Sequence, residues 1–368
     1  MNPKINKKDL IIYLFKKGRV KRLENAKKYP SEFFYGFLEL REEGYNIKLF
    51  EEKDLGIEIK NIFLKKFFNL FSKFVFNLPF NTILGFLLNN CFEKIKKAKY
   101  IVATTNSLGI SLSFAKSIGL IKADILFINM GLFPQKPHKL KVIFYKYLFK
   151  KVKLLTISKT ENKYLKSHLN NLDIQYIPFG VDASFWVPQK KLISEKYALA
   201  IGNDLARDWS TLVRSWDKDF PMLKIVTSLP VVTEKTNITV LKGDWHTQAL
   251  TDLKMRELYC NSEFVILPLK ETMQPAGQST CLQAMSCSKA VLISNIKGIW
   301  DRELLKNNEN IIFTKTGNVQ ELRKSIQFLF KNLKFREKIG ENGRKLVVEH
   351  FNIINMKNKL LESFEDTY

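Results

Sequence analysis

The sequence predicts an α/β protein built from two doubly wound parallel-sheet domains, and three observations carry the prediction. Apolar runs of strand length recur at 10–15, 100–105, 124–129, 154–158, 197–202, 223–228, 238–242, 263–268 and 290–294, with helical patterns between them. Strands alternating with helices mean βαβ units and parallel sheets. The series breaks once, over 178–191, where Ile177-Pro178-Phe179-Gly180-Val181-Asp182 runs into Pro188, Gln189 and a lysine pair, a composition that punctuates structure. It then restarts with a strand ending in Gly202, the turn-like Asn203-Asp204 and a helix from about Trp209, the way a second doubly wound unit begins. At about 150 residues per domain, 368 residues also make two domains.

The first strand, Asp9-Leu10-Ile11-Ile12-Tyr13-Leu14-Phe15, is short and rich in β-branched residues. Because Lys4, Lys7, Lys8 and Asp9 precede it, it suits a buried strand better than an export signal. No run of about eighteen uncharged apolar residues occurs, and a cytoplasmic chain is expected. At the other end, Val319 to Leu333 and Phe335 to Phe351 space their apolar residues by three and four, the pattern of amphipathic helices.

Hydrophobic residues make up 45% and charged residues 26%, so the chain can build packed cores. Cys91, Cys260, Cys281 and Cys287 lack CxxC spacing, and His138, His168, His246 and His350 stand singly; neither pattern offers a metal site or a bound cofactor. Asp217-Lys218-Asp219 has a metal-binding spelling but precedes Phe220-Pro221 at the end of a helical pattern, and it is assigned to a helix end. The net charge of +24 suits an anionic partner. Nucleic acid is set aside because the basic residues are dispersed through helices rather than gathered in a stripe. Segment 62–92 differs from the rest: Phe63, Phe67, Phe68, Phe71, Phe74, Phe76 and Phe80 stand among lysines, with Lys60 just ahead and Lys65, Lys66 and Lys73 within. Rings beside lysines suit an interfacial helix on an anionic membrane, and equally a pair of core helices with lysine tips in water.

Three stretches together resemble the GT-B glycosyltransferases, the family that includes sucrose synthase and mannosyltransferase-like enzymes. They are Ile177 to Asp182 with Phe185 and Pro188, similar to an interdomain sequence; Ala200-Ile201-Gly202-Asn203-Asp204-Leu205-Ala206-Arg207-Asp208-Trp209, similar to the strand, glycine turn and basic residue facing a donor diphosphate; and Pro268 to Ser294, similar to the donor loop, helix and following strand. The resemblance implies the GT-B fold, two Rossmann-like doubly wound domains facing a cleft. Residues 1–183 would bind the acceptor, residues 184–350 the nucleotide sugar, and a helix over 351–368 would pack back on the first domain.

The same resemblance implies the site. Donor binding falls to Gly202, Asn203, Arg207, Glu271, Ala276, Gly277, Gln278, Ser279, Thr280 and Gln283. Small residues at a helix start can bring N–H groups to a phosphate, and a guanidinium can pair with phosphate through two bonds. The family's Glu-x7-Glu pattern falls on Pro275 and Gln283, so this chain departs from it at both ends; Gln283 keeps a hydrogen-bonding group for a ribose hydroxyl. On the acceptor side, Asn106, Ser107, Met130 and Gly131 match loops of related enzymes, and Met130 or Asn129 takes the place of a histidine. Arg207, Asn129 and Glu32 are the expected catalytic residues. The expected activity is transfer of a sugar from a nucleotide-sugar donor to a glycan or lipid-linked acceptor in cell-surface polysaccharide or glycoconjugate synthesis, retaining and metal-independent, with peripheral contact on an anionic membrane. The alternative is a nucleotide-sugar-binding protein or epimerase of the same fold.

Overall fold

The computed structural model describes residues 5–25, 28–57, 59, 61–74, 78–89, 91–133, 135–190, 195–243 and 250–365. The chain divides into two compact units. One comprises Met1–Ala26, Phe33–Pro178 and Ile354–Tyr368, the other Lys27–Glu32 and Phe179–Ile353.

The first unit holds strands β1 (Ile11–Phe15), β2 (Ile47–Glu51), β3 (Tyr100–Ala103), β4 (Asp124–Asn129), β5 (Lys153–Thr156) and β6 (Ile174–Tyr176) in a parallel sheet of order β2-β1-β3-β4-β5-β6. Its core packs Ile12, Leu14, Ile101, Phe127 and Leu154 of the strands against Leu108 and Leu112 of the helix Asn106–Ser117. The helix Ile353–Glu365 joins this unit from residue 354: Lys153 Nζ donates to the Ser363 carbonyl at 2.5 Å and Phe364 meets Tyr100 edge-on at 5.0 Å.

The second unit holds β7 (Tyr197–Ile201), β8 (Met222–Thr227), β9 (Ile238–Lys242), β10 (Val265–Leu267), β11 (Val291–Ser294) and β12 (Ile312–Thr314), again parallel, in the order β12-β11-β10-β7-β8-β9. Strand order reverses between β7 and β10, and between β1 and β3 in the first unit. Such switch points open a crevice at the carboxyl ends of the strands where ligands bind in doubly wound sheets.

Nine strands coincide with apolar runs in the sequence; β2, β6 and β12 do not, and all three are sheet edges. A central parallel strand is covered on both faces and must be apolar throughout, whereas an edge strand tolerates polar residues: β2 reads Ile-Lys-Leu-Phe-Glu. The closing helices run Val319–Lys331 and Leu333–His350. Asp217 and Asp219 lie in the turn after the helix Trp209–Ser215, where Asp217 Oδ1 accepts the Asp219 N–H at 3.2 Å.

Segment 62–92 forms the helices Ile62–Phe74 and Phe80–Leu88. Lys60, residues 75–77 with Phe76, Asn90, and the side chains of Lys73 and Phe74 lie outside the described residues. The first helix leaves its apolar side in water: Ile62 is 66% exposed, Phe63 86% and Phe67 59%, with Leu70 and Phe71 also exposed. Lys65 and Lys66 are exposed on the same helix. Among the described residues no helix is long and apolar enough to cross a membrane.

Ile266 of β10 is fully buried in the second core. Truncation there removes three heavy atoms from the middle of the sheet, and Ile266→Ala should cost about 2–5 kcal/mol, read as a lower urea midpoint at an unchanged slope.

Candidate functional site

At the switch point of the second unit, β7 runs out at Ile201, just before Gly202, and the chain returns as Arg207, whose backbone bridges to Leu269 just beyond β10. The Asp208 N–H donates to the Pro268 carbonyl at 2.9 Å and the Lys270 N–H to the Ala206 carbonyl at 2.7 Å. These bonds hold the Arg207 loop across the ends of the two strands. Its guanidinium lies between two glycines. A Cβ at Gly202 would stand 1.8 Å from Arg207 Nε, and one at Gly277 2.9 Å from Nη1, so only glycine admits the side chain. Gly277 is the left-handed N-cap of the helix Gln278–Ser286, at φ 74.

Arg207 is therefore a buried cation at a helix start. Its side chain is 1% exposed, and its one ion pair among the described residues is Nη2 to Asp204 Oδ2 at 3.3 Å, with Asp204 43% exposed. Nε and Nη1 are buried and have no hydrogen-bond partner among the described residues. Burial pushes the guanidinium down from its ordinary value, and Asp204 opposes the shift. Buried N–H groups without partners are costly, and a phosphate oxygen is the acceptor they fit. Ser279 and Thr280, half-buried in the first turn, add hydroxyls and helix-start N–H groups that have no partner within the helix.

Gln283 lies one turn further along this helix, and the fold joins it to Glu32, which belongs to the second unit through the segment Lys27–Glu32. Gln283 Nε2 donates to Glu32 Oε1 at 2.9 Å, Trp186 Nε1 donates to the same oxygen at 2.7 Å, and the Asp182 N–H donates to Oε2 at 3.2 Å. Tyr259 donates its hydroxyl to Gln283 Oε1 at 3.2 Å. Glu32 is fully buried. Burial raises its carboxyl from 4.5 to about 7, against the lowering effect of the Gln283 and Trp186 bonds.

The other donor-side residues divide by what they bond. Asn203 is tied up in the scaffold, accepting from Ser228 N–H at 2.6 Å and Thr227 Oγ1 at 3.2 Å and donating to the Gly243 carbonyl at 2.7 Å. Glu271 is exposed and accepts the Lys297 N–H at 2.8 Å. Ala276 is half-buried ahead of the helix and Gln278 is buried in its first turn. Among the described residues no group of three or more His, Cys, Asp or Glu side chains is placed to hold a metal ion.

The acceptor-side residues sit in the first unit, at the carboxyl ends of β3 and β4. Asn106 and Met130 exchange two bonds, Asn106 Nδ2 to the Met130 carbonyl and the Met130 N–H to Asn106 Oδ1, both 3.1 Å. Ser107 Oγ lies 3.3 Å from Thr105 Oγ1 at the same helix start. Asn129 is fully buried and donates Nδ2 to the Leu155 carbonyl at 3.0 Å, joining β4 to β5. Sequence reasoning passed over Glu161, whose Oε1 accepts the Gly131 and Leu132 N–H groups at 2.8 and 3.1 Å and so shapes the loop after β4. Burial raises Glu161 from 4.5 to about 7, opposed by those two bonds. It also passed over Trp186 and Tyr259; the Trp186 position next to Phe185 is the one signal that pointed there.

Residues 246–346 match the model of the family described as glycosyl transferases group 1. By sequence, no curated protein matches the chain. Among solved structures, a glycosyltransferase from Rickettsia africae is similar at TM-score 0.71 and 16% identity, covering 98% of this chain and 99% of that one. The sucrose-phosphate synthase of Thermosynechococcus elongatus is similar at TM-score 0.72 and 14% identity, covering 97% and 98%. Anabaena HepE, solved in complex with UDP, is similar at TM-score 0.67 and 13% identity, covering 97% and 99%. The two six-stranded parallel sheets are thus those of the GT-B fold.

Two measurements check this geometry. Gly202→Ala sets a methyl group where Arg207 Nε lies, and the forced repacking should cost about 1–3 kcal/mol in urea unfolding. Folded Glu32 and Glu161 both hold a proton up to about pH 7, whereas unfolded carboxyls release theirs near 4.5. Between those values the folded state binds more protons, so stability falls as pH rises through that window. Glu161→Gln keeps an acceptor for the Gly131 and Leu132 N–H groups but cannot ionise, and the urea midpoint of this variant should fall less steeply from pH 4.5 to 7.

Proposed function

We propose that this chain, whose residues 246–346 match the glycosyl transferases group 1 model and whose fold is GT-B, is a glycosyltransferase that moves a sugar from a nucleotide-sugar donor to a glycan or lipid-linked acceptor in cell-surface polysaccharide or glycoconjugate synthesis. The observation that carries the reading is Arg207, a buried cation with two N–H groups unpartnered among the described residues, between Gly202 and the start of the helix Gln278–Ser286. A nucleoside diphosphate fits it: one phosphate on the guanidinium, another on the N–H groups and hydroxyls of Ser279 and Thr280, and the ribose one turn along at Gln283. HepE, whose structures contain UDP and UDP-glucose, supports UDP as the first nucleotide to try.

In the transfer, the acceptor hydroxyl oxygen bonds to the anomeric carbon as the bond from that carbon to the diphosphate oxygen breaks. The electron pair leaves with the diphosphate. In the retaining course we propose, the departing phosphate takes the acceptor proton on the same face, so no protein base is required. Arg207 stabilises the growing negative charge, the task a divalent ion performs in other transferases. Asn106, Ser107, Met130 and Gly131 of the first unit are the acceptor-side residues of this reading.

The acceptor's setting is proposed to be an anionic membrane. The exposed apolar side of the helix Ile62–Phe74, with Lys65 and Lys66 beside it and a net charge of +24 behind it, supports docking by ring insertion and headgroup attraction. Each lysine near such a surface contributes about 1 kcal/mol.

Three tests follow. Calorimetric titration of UDP, GDP and ADP should find one that binds, and Arg207→Ala should weaken it by about 1.5–3 kcal/mol; unchanged affinity removes Arg207 from the site. Transfer should persist in excess EDTA, whereas loss with rescue by manganese overturns the metal-independent course. Sedimentation with phosphatidylglycerol vesicles at low salt should pellet the wild type, less so the Lys65→Glu/Lys66→Glu variant and less so at high salt; a wild type left in the supernatant rules out docking.

A further inference from the structure

We propose that Glu32 is the positioning residue of the donor site: its carboxylate locks the Gln283 amide in one orientation, so that the second Nε2 hydrogen is presented to a ribose hydroxyl oxygen. The inference rests on the donor reading above and adds a residue 251 positions away from Gln283 in the chain.

The hydrogen-bond chemistry fixes the orientation. Once ionised, above about pH 7, the Glu32 carboxylate only accepts, and it receives three donors: Gln283 Nε2, Trp186 Nε1 and the Asp182 N–H. Were the amide turned over, its oxygen would face the carboxylate, two acceptors in contact inside a buried layer, where an unmade bond is expensive. In the observed orientation the amide oxygen takes the Tyr259 hydroxyl. One Nε2 hydrogen goes to Glu32, and the other has no partner among the described residues.

Placement agrees with the role. Gln283 is four residues after Ser279 and three after Thr280 on one helix, so each of the two lies about 5–6 Å from Gln283 along the helix surface. A nucleotide whose phosphates meet Arg207 and the helix start reaches Gln283 with its ribose. Tyr259, fully buried, donates to the Gln283 amide and feels the charges of both Arg207 and Glu32. The position where related enzymes carry a carboxylate holds an amide here, and the carboxylate comes instead from the segment Lys27–Glu32.

A swap tests the pair. The nucleoside diphosphate that binds the wild type is compared by calorimetry with its 2′,3′-dideoxy counterpart, at a temperature where circular dichroism shows every variant folded. The wild type should prefer the ribose form by about tenfold, the worth of a hydrogen bond of about 1.4 kcal/mol. Glu32→Gln, which can donate as well as accept, should lose most of that preference while binding the dideoxy form as the wild type does. Gln283→Glu sets two carboxylates together and should lower the melting temperature. The Glu32→Gln/Gln283→Glu protein returns one carboxylate and one amide to the pair and should recover both stability and preference, an outcome that a merely structural role for Glu32 does not produce. Should Glu32→Gln alone fail to fold, the double variant decides: folded without ribose preference, it overturns the proposal. Equal binding of both nucleotides by the wild type, or full preference in Glu32→Gln, overturns it while leaving the donor reading intact. Absence of any nucleotide binding overturns the donor reading and this inference with it.

Discussion

A buried guanidinium with too few partners is the constraint around which the second unit is arranged. Arg207 is held at the switch point of the sheet with a single ion pair among the described residues, to a half-exposed Asp204, and a charge removed from water is costly unless fully paired. The surroundings are built to keep it there. Glycine at 202 and at 277 leaves room for the side chain, and two backbone bonds fasten its loop to the residues after β10. Free energy that the fold does not recover from Arg207 within the chain is available to an anion.

The opposite end of the same helix face shows the complementary arrangement. Glu32 is as buried as Arg207, but three donors reach it, so its needs are met inside the protein. Burial moves both groups toward their neutral forms, Arg207 downward and Glu32 up to about 7. In the proposed reading, this contrast separates the residue that binds charge from the one that orients a neighbour.

The first unit uses the same logic with weaker charges. The loop after β4 is shaped from two sides, by the reciprocal Asn106 and Met130 bonds and by the Glu161 carboxyl on the Gly131 and Leu132 N–H groups. Asn129, one residue earlier, gives its amide N–H to the Leu155 carbonyl of β5. Its position at a strand end resembles a functional place, yet its side chain joins β4 to β5 within the core.

Much of the fold was legible in the sequence, because a parallel strand covered on both faces has to be a continuous apolar run; the edges β2, β6 and β12 were not, because half-covered strands carry no such run. The neighbourhood of Gly202, Arg207 and residues 276–283 could be picked out because a strand, a tight turn and a helix start are local features. What the tertiary structure alone decided were the pairings: Glu32 with Gln283, Tyr259 with the same amide, Glu161 with Gly131. Those depend on which distant segments the topology buries together, and a hydrogen bond in the interior is chosen by burial and direction, neither of which a linear spacing records.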